Sequence, residues 1–448
     1  MKRRTFLHVL GGSTAALALR KPLWAAANSP TASDEFFLFI HAAGGWDVTL
    51  WADPRNERKG LVDPASTENT DIAPLTHWTS TRLDGDIDTF EILAPKDVPM
   101  RFGPGIGALY DLRSRLTVVN GLAMATVSHP DGTAFSATGR HLQGGRSPAS
   151  SVDVALANEL GTGQLLPDVA VQFPSSYVGD LDRRAVPLRV ANAGTVAKSL
   201  ARGEAYFDAS DRSAISALVT EEAHALAKRS TFPETYERIA SQTGAVQRLL
   251  DDKLEAAFTQ KALQERYPQF DYKAKNFGAA ALGAAFAVEA MRRNLVRCVG
   301  FAIGGFDTHN QNYKQQAHTQ QELFGAIATL VDLLDRTPHP TRQGHKLSEH
   351  AHLLVFSDFC RTPQINLSGG RDHYPNNSAL VISPRFKGGR VFGKTDHDQL
   401  LPADAGIHFL DGPRPIAPPD LLATFLHAFA IEPRLYLRDG EVVQEMLA

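Results

Sequence analysis

Cysteine is scarce in this chain of 448 residues, which contains two, Cys298 and Cys360. Two thiols are too few for a disulfide scaffold or for a zinc site built from thiolates. Cys298 lies near the start of one predicted strand and Cys360 just past the end of another. In a parallel sheet these points fall at opposite edges, roughly 17–20 Å apart. We therefore expect two buried or half-buried free thiols rather than a disulfide bond.

An excess of charge of one sign and long hydrophobic runs are lacking too. The formal net charge is −3, with 46 basic and 49 acidic side chains. This near balance disfavours a nucleic-acid-binding surface and a polybasic membrane patch. Beyond the N-terminal region no segment reaches the roughly 18 uncharged apolar residues of a membrane-spanning helix. We expect the rest of the chain to fold as a soluble protein without nucleic-acid partners.

Three common catalytic signatures are absent from the sequence. There is no Gly-x-Ser-x-Gly elbow, which disfavours a serine hydrolase with the usual triad. No Gly-x-Gly-x-x-Gly loop follows a predicted strand, and there is no Walker phosphate loop. The sequence therefore does not indicate a dinucleotide-dependent enzyme or a P-loop nucleotidase.

The first 27 residues have the pattern of an export signal. Arg3 and Arg4 precede Phe6 and an apolar stretch over residues 7–19, which is too short to cross a bilayer. Small residues up to Ala27 fit a cleavage site. We expect the twin-arginine translocase to export the chain to the periplasm or the medium, which leaves residues 28–448 as the mature protein. An ordinary signal peptide is the alternative.

Four short apolar runs predict strands that are buried on both faces, as in a parallel sheet. They are Glu35–His41, Leu116–Val119, Val296–Ile303 and His352–Phe356. Helical patterns alternate with them, for example over 320–336, and this alternation predicts a single α/β domain with a mostly parallel sheet between helices. Two long helical patterns, over 210–228 and 233–267, predict a helical insertion at about 170–280. Residues 55–104 are expected to form a surface excursion.

Carboxylate and imidazole side chains follow these strands. Asp47 follows the first run, Ser128 and His129 the second, Asp307 and His309 the third, Asp358 and Arg361 the fourth, and Asp372 and His373 come shortly afterwards. Ligands of open parallel sheets gather at the carboxyl ends of the strands, so these groups should share one edge. Mixed carboxylate and imidazole sets suit Zn or Mn, and carboxylate-rich sets suit Mg or Ca. The sequence therefore predicts a site for one or two divalent ions.

Each of these residues receives a predicted role. The predicted metal ligands are Asp47, Asp307, His309, Asp358 and His373. Ser128 is the candidate nucleophile or bridging hydroxyl, and His129 or Arg361 is the candidate for stabilising an oxyanion. Simpler explanations stand beside these roles, since Asp47 fits a helix N-cap equally well and Ser128 with His129 fits an ordinary loop. The other histidines, His41 among them, are expected to be structural or at the surface, with His318 held in reserve.

The ordered motifs resemble a bacterial family of unassigned function. They are Gly-Gly-Trp-Asp47, Ser128-His129, Gly-Phe-Asp307-Thr-His309, Ser-Asp358-Phe-Cys-Arg361-Thr-Pro and Gly-Gly-Arg-Asp372-His373. The family is domain of unknown function 1501, whose members often carry twin-arginine signals, and the resemblance covers essentially the whole mature chain. That family is similar in turn to the alkaline phosphatase and sulfatase superfamily. The resemblance implies an alkaline-phosphatase-like α/β fold with one or two divalent metals at the strand ends.

The resemblance also implies roles for individual residues. Asp47 matches the first acid of the superfamily. Asp307, His309 and His373 match the ligands of one metal, and Asp358 matches the acid of the second. Ser128 falls near the position of the nucleophile, with an uncertainty of one residue against His129.

Two departures from the superfamily pattern concern the metals. Phe359 stands directly after the second acid, where the phosphatases have a histidine, and the spacing from Asp307 to His309 is shorter than theirs. The second metal is therefore expected to be weak, differently ligated or absent. A sulfatase-type Cys-x-Pro-x-Arg motif is also missing.

These features predict a periplasmic metal-dependent hydrolase of phosphate- or sulfate-type esters, acting on a small-molecule or polymer substrate. The alternative is an exported protein on the same fold that binds or assembles with a partner without turnover.

Overall fold

The computed structural model describes residues 34–55, 61–62, 92–161, 163–199, 208–233, 235–237, 239–240, 243, 254–274 and 278–448. The predicted export signal lies outside these residues, as does much of the predicted surface excursion over 55–104. Both therefore stay predictions. Among the helices of the described ranges, none is long and apolar enough to cross a membrane.

A sheet of eight strands forms the centre of the fold. The strands are β1 (Phe36–Ala42), β2 (Leu116–Ala123), β3 (Leu166–Val171), β4 (Leu188–Val190), β5 (Val296–Ile303), β6 (Ala351–Ser357), β9 (Asn376–Ile382) and β10 (Arg390–Phe392). Two small ribbons accompany it, one made of β7 (Cys360–Arg361) and β8 (His373–Tyr374) and one of β11 (Lys394–Thr395) and β12 (Pro402–Ala403). The order across the sheet is β10-β2-β9-β6-β1-β5-β3-β4. Within this sheet, β9 alone pairs antiparallel with its described neighbours.

Helices cover both faces of the sheet. They are α1 (His129–Thr138), α2 (Val152–Leu160), α3 (Ala193–Ser199), α4 (Ala209–Ala227), α5 (Leu254–Ala257), α6 (Gln260–Arg266), α7 (Gly278–Arg292), α8 (Asn312–Arg336) and α9 (Pro418–His427), with 3-10 helices at Val48–Leu50, Pro104–Arg115, Arg183–Ala185, Leu347–Glu349, Pro433–Leu435 and Gln444–Met446. Side chains of a strand alternate between the faces. Phe36, Leu38 and Ile40 of β1 accordingly pack in the core under α7 and α8. Phe37 and Phe39 pack in the opposite core, under α2 and α9.

The four predicted strands and the mixed α/β architecture with a mostly parallel sheet are confirmed. β1 is buried at every position, which explains its unbroken apolar run. Four further strands, β3, β4, β9 and β10, were not predicted. β9 begins with the polar residues Asn376, Asn377 and Ser378, which do not match the apolar pattern of a buried strand. The short edge strands β4 and β10 contain exposed arginines and do not match it either. Both cysteines are buried free thiols, as predicted.

The region predicted as a helical insertion is more varied than its sequence pattern. α4 matches the first predicted helix. The second pattern is not one continuous helix in its described part, because α5 ends at Ala257 and α6 begins at Gln260, where the Thr259 hydroxyl caps the new helix. The same region also contributes β4 to the edge of the sheet. It is therefore not a purely helical cap.

Two buried carboxyl groups face each other between α2 and β3. Asp153 and Asp168 are both at most 1% exposed, and one oxygen of each has no hydrogen-bond partner. The Ser175 hydroxyl donates to Asp153 and lies 3.4 Å from an oxygen of Asp168. Burial, and next the charge of Asp153, raise the pKa of Asp168 well above its usual value. Asp168 therefore keeps its proton to a higher pH in the native protein than in the unfolded chain.

A protonated Asp168 makes stability fall as the pH rises. The unfolded carboxyl releases its proton near pH 3.9, whereas the native one releases it at a higher pH, so between these two pKa values the free energy of unfolding decreases by up to about 1.4 kcal/mol per pH unit. Asp168→Asn removes this dependence. We expect the free energy of unfolding of the variant, minus that of the wild type, to grow as the pH rises from about 4, in urea titrations that run to about pH 7.5.

The control for this experiment is Asp404→Asn, at an exposed position. Its difference from the wild type should stay flat over the same pH range. A flat difference for Asp168→Asn would contradict the assignment of a proton to Asp168.

Candidate metal centre

The candidate site lies at the carboxyl ends of the three central strands. β1 lies between β5 and β6, and all three are parallel. The segments that follow β5 and β6 carry Asp307 and Asp358. His129 is the first residue of α1, which has a proline in its first turn and ends at Gly139 in the left-handed conformation. His373 lies in β8.

Four potential ligand atoms converge at this edge. The Oδ1 atom of Asp307 lies 3.5 Å from Nε2 of His129, 3.1 Å from Nε2 of His309 and 3.6 Å from Nε2 of His373. The Nε2 atoms of His309 and His373 are 3.1 Å apart. Ligands at 2.0–2.1 Å from a tetrahedral zinc ion are separated by about 3.3 Å. The ligand atoms of His129, Asp307 and His373 all lie within 4.8 Å of one another, as ligands of one ion would, and Nε2 of His309 lies beside two of them.

The second ring nitrogen of each histidine has an acceptor. The pairs are His129 Nδ1 with Asp358 Oδ2 at 2.7 Å, His309 Nδ1 with Asp372 Oδ1 at 2.7 Å, and His373 Nδ1 with the main-chain oxygen of Val127 at 2.8 Å. An Nδ1 that donates a hydrogen bond leaves Nε2 with its lone pair, the form in which histidine binds metal. In the neutral rings with a proton on Nδ1, the three Nε2 atoms that lie 3.1–3.6 Å from Asp307 Oδ1 each carry a lone pair.

The Asp358 carboxylate lies behind His129 rather than among the four converging atoms. Its Oδ1 accepts from His41 Nε2 at 2.5 Å and from the Thr133 hydroxyl at 2.9 Å. Its Oδ2 accepts from the Gly44 amide at 3.0 Å as well as from His129. Burial opposes ionisation, but the hydrogen bonds from His129 and His41 hold the pKa of Asp358 well below its usual value. Asp358 is thus an ionised carboxylate whose acceptor positions are occupied by protein donors.

Asp47 is also occupied by the protein. It is fully buried and caps the 3-10 helix Val48–Leu50 through the Thr49 amide. Its other oxygen accepts from the Asn312 amide at 2.6 Å and lies 3.3 Å from Nε of Arg371. The structure therefore gives Asp47 the capping role that the sequence left open and does not place it in the His/Asp cluster.

Arg361 is fully buried, and its partners are internal. It donates to the main-chain oxygens of Gly44, Gly45 and Arg371 and to Asp307 Oδ1 at 2.7 Å. Burial opposes ionisation of Asp307, but the contact with Arg361 keeps its pKa lowered. Arg361 therefore holds the Asp307 carboxylate in place and keeps it ionised. Its own guanidinium is buried and does not contact a substrate.

The remaining predicted positions lie at the rim or elsewhere. Ser128 is exposed and directly precedes α1. His318 pairs with Glu322 on α8, at 3.1 Å. Phe359 is buried, and its ring packs 4.8 Å from that of His129 and 4.6 Å from that of His373. It forms an apolar wall against two of the converging imidazoles.

Three residues of the site were not assigned their observed positions from the sequence. His129 contributes a converging nitrogen, Asp372 supports His309, and His41 supports Asp358. A signal for His41 was present, since it is an imidazole in the otherwise apolar run of β1, near the carboxyl end where ligands gather.

Close contact between the loops that carry the site depends on glycine. A Cβ atom at Gly370 would lie 1.9 Å from the main-chain carbon of His309, so an alanine must push the two loops apart. Because such overpacking costs about 1–3 kcal/mol, we expect Gly370→Ala to lower the free energy of unfolding by this amount. Urea titration measures the change.

Gly304→Ala is the matched control, because it lies in the loop that leads to Asp307 and a Cβ there would meet nothing within 4 Å. Its stability should stay within about 0.5 kcal/mol of the wild type. Equal effects of the two substitutions would contradict the close contact at Gly370.

A family model described as a protein of unknown function, DUF1501, matches residues 100–443. The matched span includes His129, Asp307, His309, Asp358 and His373, and begins after His41 and Asp47. No curated protein matches the chain. Because the matched span covers well over half of the sequence, the chain belongs to the DUF1501 family of proteins of unknown function.

Proposed function

We propose that this chain is an exported metal-dependent hydrolase that holds one divalent ion between His129, Asp307, His309 and His373. The observation that carries the proposal is the convergence of three imidazole Nε2 atoms on one carboxylate oxygen, at 3.1–3.6 Å. The export part is supported by the sequence pattern of residues 1–27.

Proton counting favours an ion over a cluster held by hydrogen bonds alone. Nδ1 of His309 and of His373 both face acceptors, so in neutral rings neither Nε2 atom carries a proton. Two lone pairs then face each other across 3.1 Å, which is unfavourable unless a metal ion lies between them or one ring takes up a second proton. The Nε2 atom of His129 is likewise buried without a hydrogen-bond partner. A divalent ion would satisfy all three nitrogens.

The donor set favours particular metals. Three imidazoles with one carboxylate suit Zn or Mn, whereas Mg and Ca prefer oxygen ligands. The Asp307 and His309 side chains are 52% and 47% exposed, so one side of the site is open to solvent. Catalytic zinc sites keep such an open position, while structural sites are closed.

A single ion is favoured over a pair. The acid of a second site would be Asp358, but its oxygens accept from four protein donors, and Phe359 beside it cannot bind metal. On this ground we propose a variant of the alkaline phosphatase and sulfatase fold that retains one metal position. The resemblance of the motifs and the acids that follow β5 and β6 support this assignment.

Phosphate- or sulfate-type esters are the proposed substrates, following that resemblance. Held by His129, Asp307, His309 and His373, a divalent ion would supply Lewis acidity and would lower the pKa of water. Arg361 keeps Asp307 ionised and oriented, and Asp358 orients the ring of His129. Ser128 stands next to His129 at the exposed start of α1, where its hydroxyl can orient a substrate. We propose water as the attacking group, because His129, and not Ser128, contributes the converging atom from this segment.

Metal content tests the site itself. We expect purified wild-type protein to bind about one equivalent of Zn or Mn by elemental analysis. Asp307→Ala and His309→Ala each remove one of four ligands and should lose most of the bound metal after dialysis. His318→Ala, on α8, is the control and should retain it. Less than half an equivalent of any divalent ion in the wild type would overturn the proposal.

Turnover is tested with arylphosphate, phosphodiester and arylsulfate substrates in the presence of Zn, Mn or Ca. We expect activity with at least one class, and a loss of about 10²–10⁴-fold in kcat/KM for Asp307→Ala because the Lewis acid is lost. Ser128→Ala should stay within about tenfold if water attacks, since a serine nucleophile would cost far more. Full metal binding without turnover would instead favour the alternative of an exported binding or assembly protein, which the apolar wall of Phe359 also suits.

A further inference from the structure

A buried imidazole stands behind the candidate metal centre, two hydrogen bonds away from the proposed ligand His129. His41 is 5% exposed, and its Nε2 atom bonds Asp358, which in turn bonds Nδ1 of His129. We propose that His41 is a positioning residue of the metal site, which sets the affinity for the ion by fixing the Asp358 carboxylate that orients His129. This inference rests on the proposed function.

The geometry at Asp358 explains why a residue so far from the ion can matter. A carboxylate has about four acceptor positions, and here each oxygen receives two donors. Oδ2 holds the Gly44 amide and His129, while Oδ1 holds His41 and Thr133. The plane of the carboxylate is therefore fixed from both sides. Without His41, one oxygen keeps only the Thr133 hydroxyl, and the direction in which Oδ2 meets His129 is no longer set.

The place of His41 in the fold makes it a rigid support. It lies in β1, opposite Phe356 of β6, and its ring packs 5.5 Å from the ring of that phenylalanine. A polar ring buried in an apolar strand is costly unless it is hydrogen-bonded, and Asp358 provides the partner. Ligands whose supporting groups sit on packed strands are held more accurately than those supported from loops.

The supports of the other two histidines are different. Asp372, behind His309, is 55% exposed, and its further contacts to Asn366 are long, at 3.4 Å. His373 is held by a main-chain oxygen. Asp358 is 2% exposed, so its effect on His129 is little weakened by water. Among the groups that support the three histidines, loss of His41 and its bond to Asp358 should therefore reduce the affinity for the ion most.

The fold offers a matched control at the other end of the sheet. His352 of β6 is fully buried, and its Nε2 atom lies 2.8 Å from Glu35 Oε2. This pair has the same chemistry as His41 with Asp358, but it lies where β1 and β6 begin. Replacing His352 therefore reproduces the loss of a buried histidine–carboxylate bond without touching the proposed site.

The test compares Zn affinity by chelator competition in the wild type, His41→Phe, His41→Gln and His352→Phe. Loss of the group that contacts a metal-bound histidine typically costs 10–100-fold in affinity, and because His41 acts through Asp358 we expect the lower end, about tenfold, for His41→Phe. His41→Gln keeps an N–H donor and should recover a large part of the loss. The Co(II) absorption spectrum should change in His41→Phe, while His352→Phe should keep the wild-type spectrum and an affinity within about threefold.

The possible outcomes are distinguishable. Wild-type affinity and an unchanged Co(II) spectrum in folded His41→Phe would overturn the positioning role and leave the metal-dependent function intact. A wild-type protein that binds no metal would overturn both. If His41→Phe does not fold, Thr133→Val removes the other donor to the same oxygen of Asp358. A several-fold loss of Zn affinity in Thr133→Val would then support the inference, and no loss would overturn it.

Discussion

The carboxylate of Asp358 is the contact on which the geometry of the site depends. It joins the end of β1, the glycine loop that follows, and the first turns of α1 to the segment after β6. A buried carboxylate is tolerated only where donors compensate its lost hydration, so these four segments must come together for the native state to form. The sheet places the ends of the strands side by side, and Asp358, at the end of one of them, orients the imidazole of His129.

The central part of the fold could be predicted because its physical cause is local. β1 is covered by helices on both faces, so every residue from Phe36 to Ala42 is buried and the sequence reads as one apolar run. β9 lies equally deep, but its first residues are polar, and Asn377 is hydrogen-bonded to Trp46 and Ser357. Asp168 interrupts β3 in a comparable way. A strand whose polar side chains bond to partners far away in the sequence lacks the apolar pattern, so a single sequence does not reveal it.

The site could be predicted in part for a similar reason. Asp307 and His309 follow a predicted strand, and His373 follows a glycine pair, so their proximity could be inferred from the parallel topology. The sequence did not show that Asp47 and Asp358 lie outside the set of converging ligand atoms. Asp47, Asp307 and Asp358 all follow strands, and only their partners distinguish them. Asp47 contacts Arg371 and Asn312, whereas Asp358 contacts His41 and His129. Such partners are set by long-range packing, which residue spacing does not encode.

The converging side chains come from segments that are far apart in sequence, since His129 and His373 are separated by more than half of the chain. An ion bound by them would belong to the native state alone, because an unfolded chain cannot keep these groups together. Its binding energy would add directly to the energy of folding, by an amount that grows with the logarithm of the free metal concentration. Metal supply would then set the stability of the folded protein as well as its chemistry, and a chelator would shift the equilibrium toward the unfolded chain.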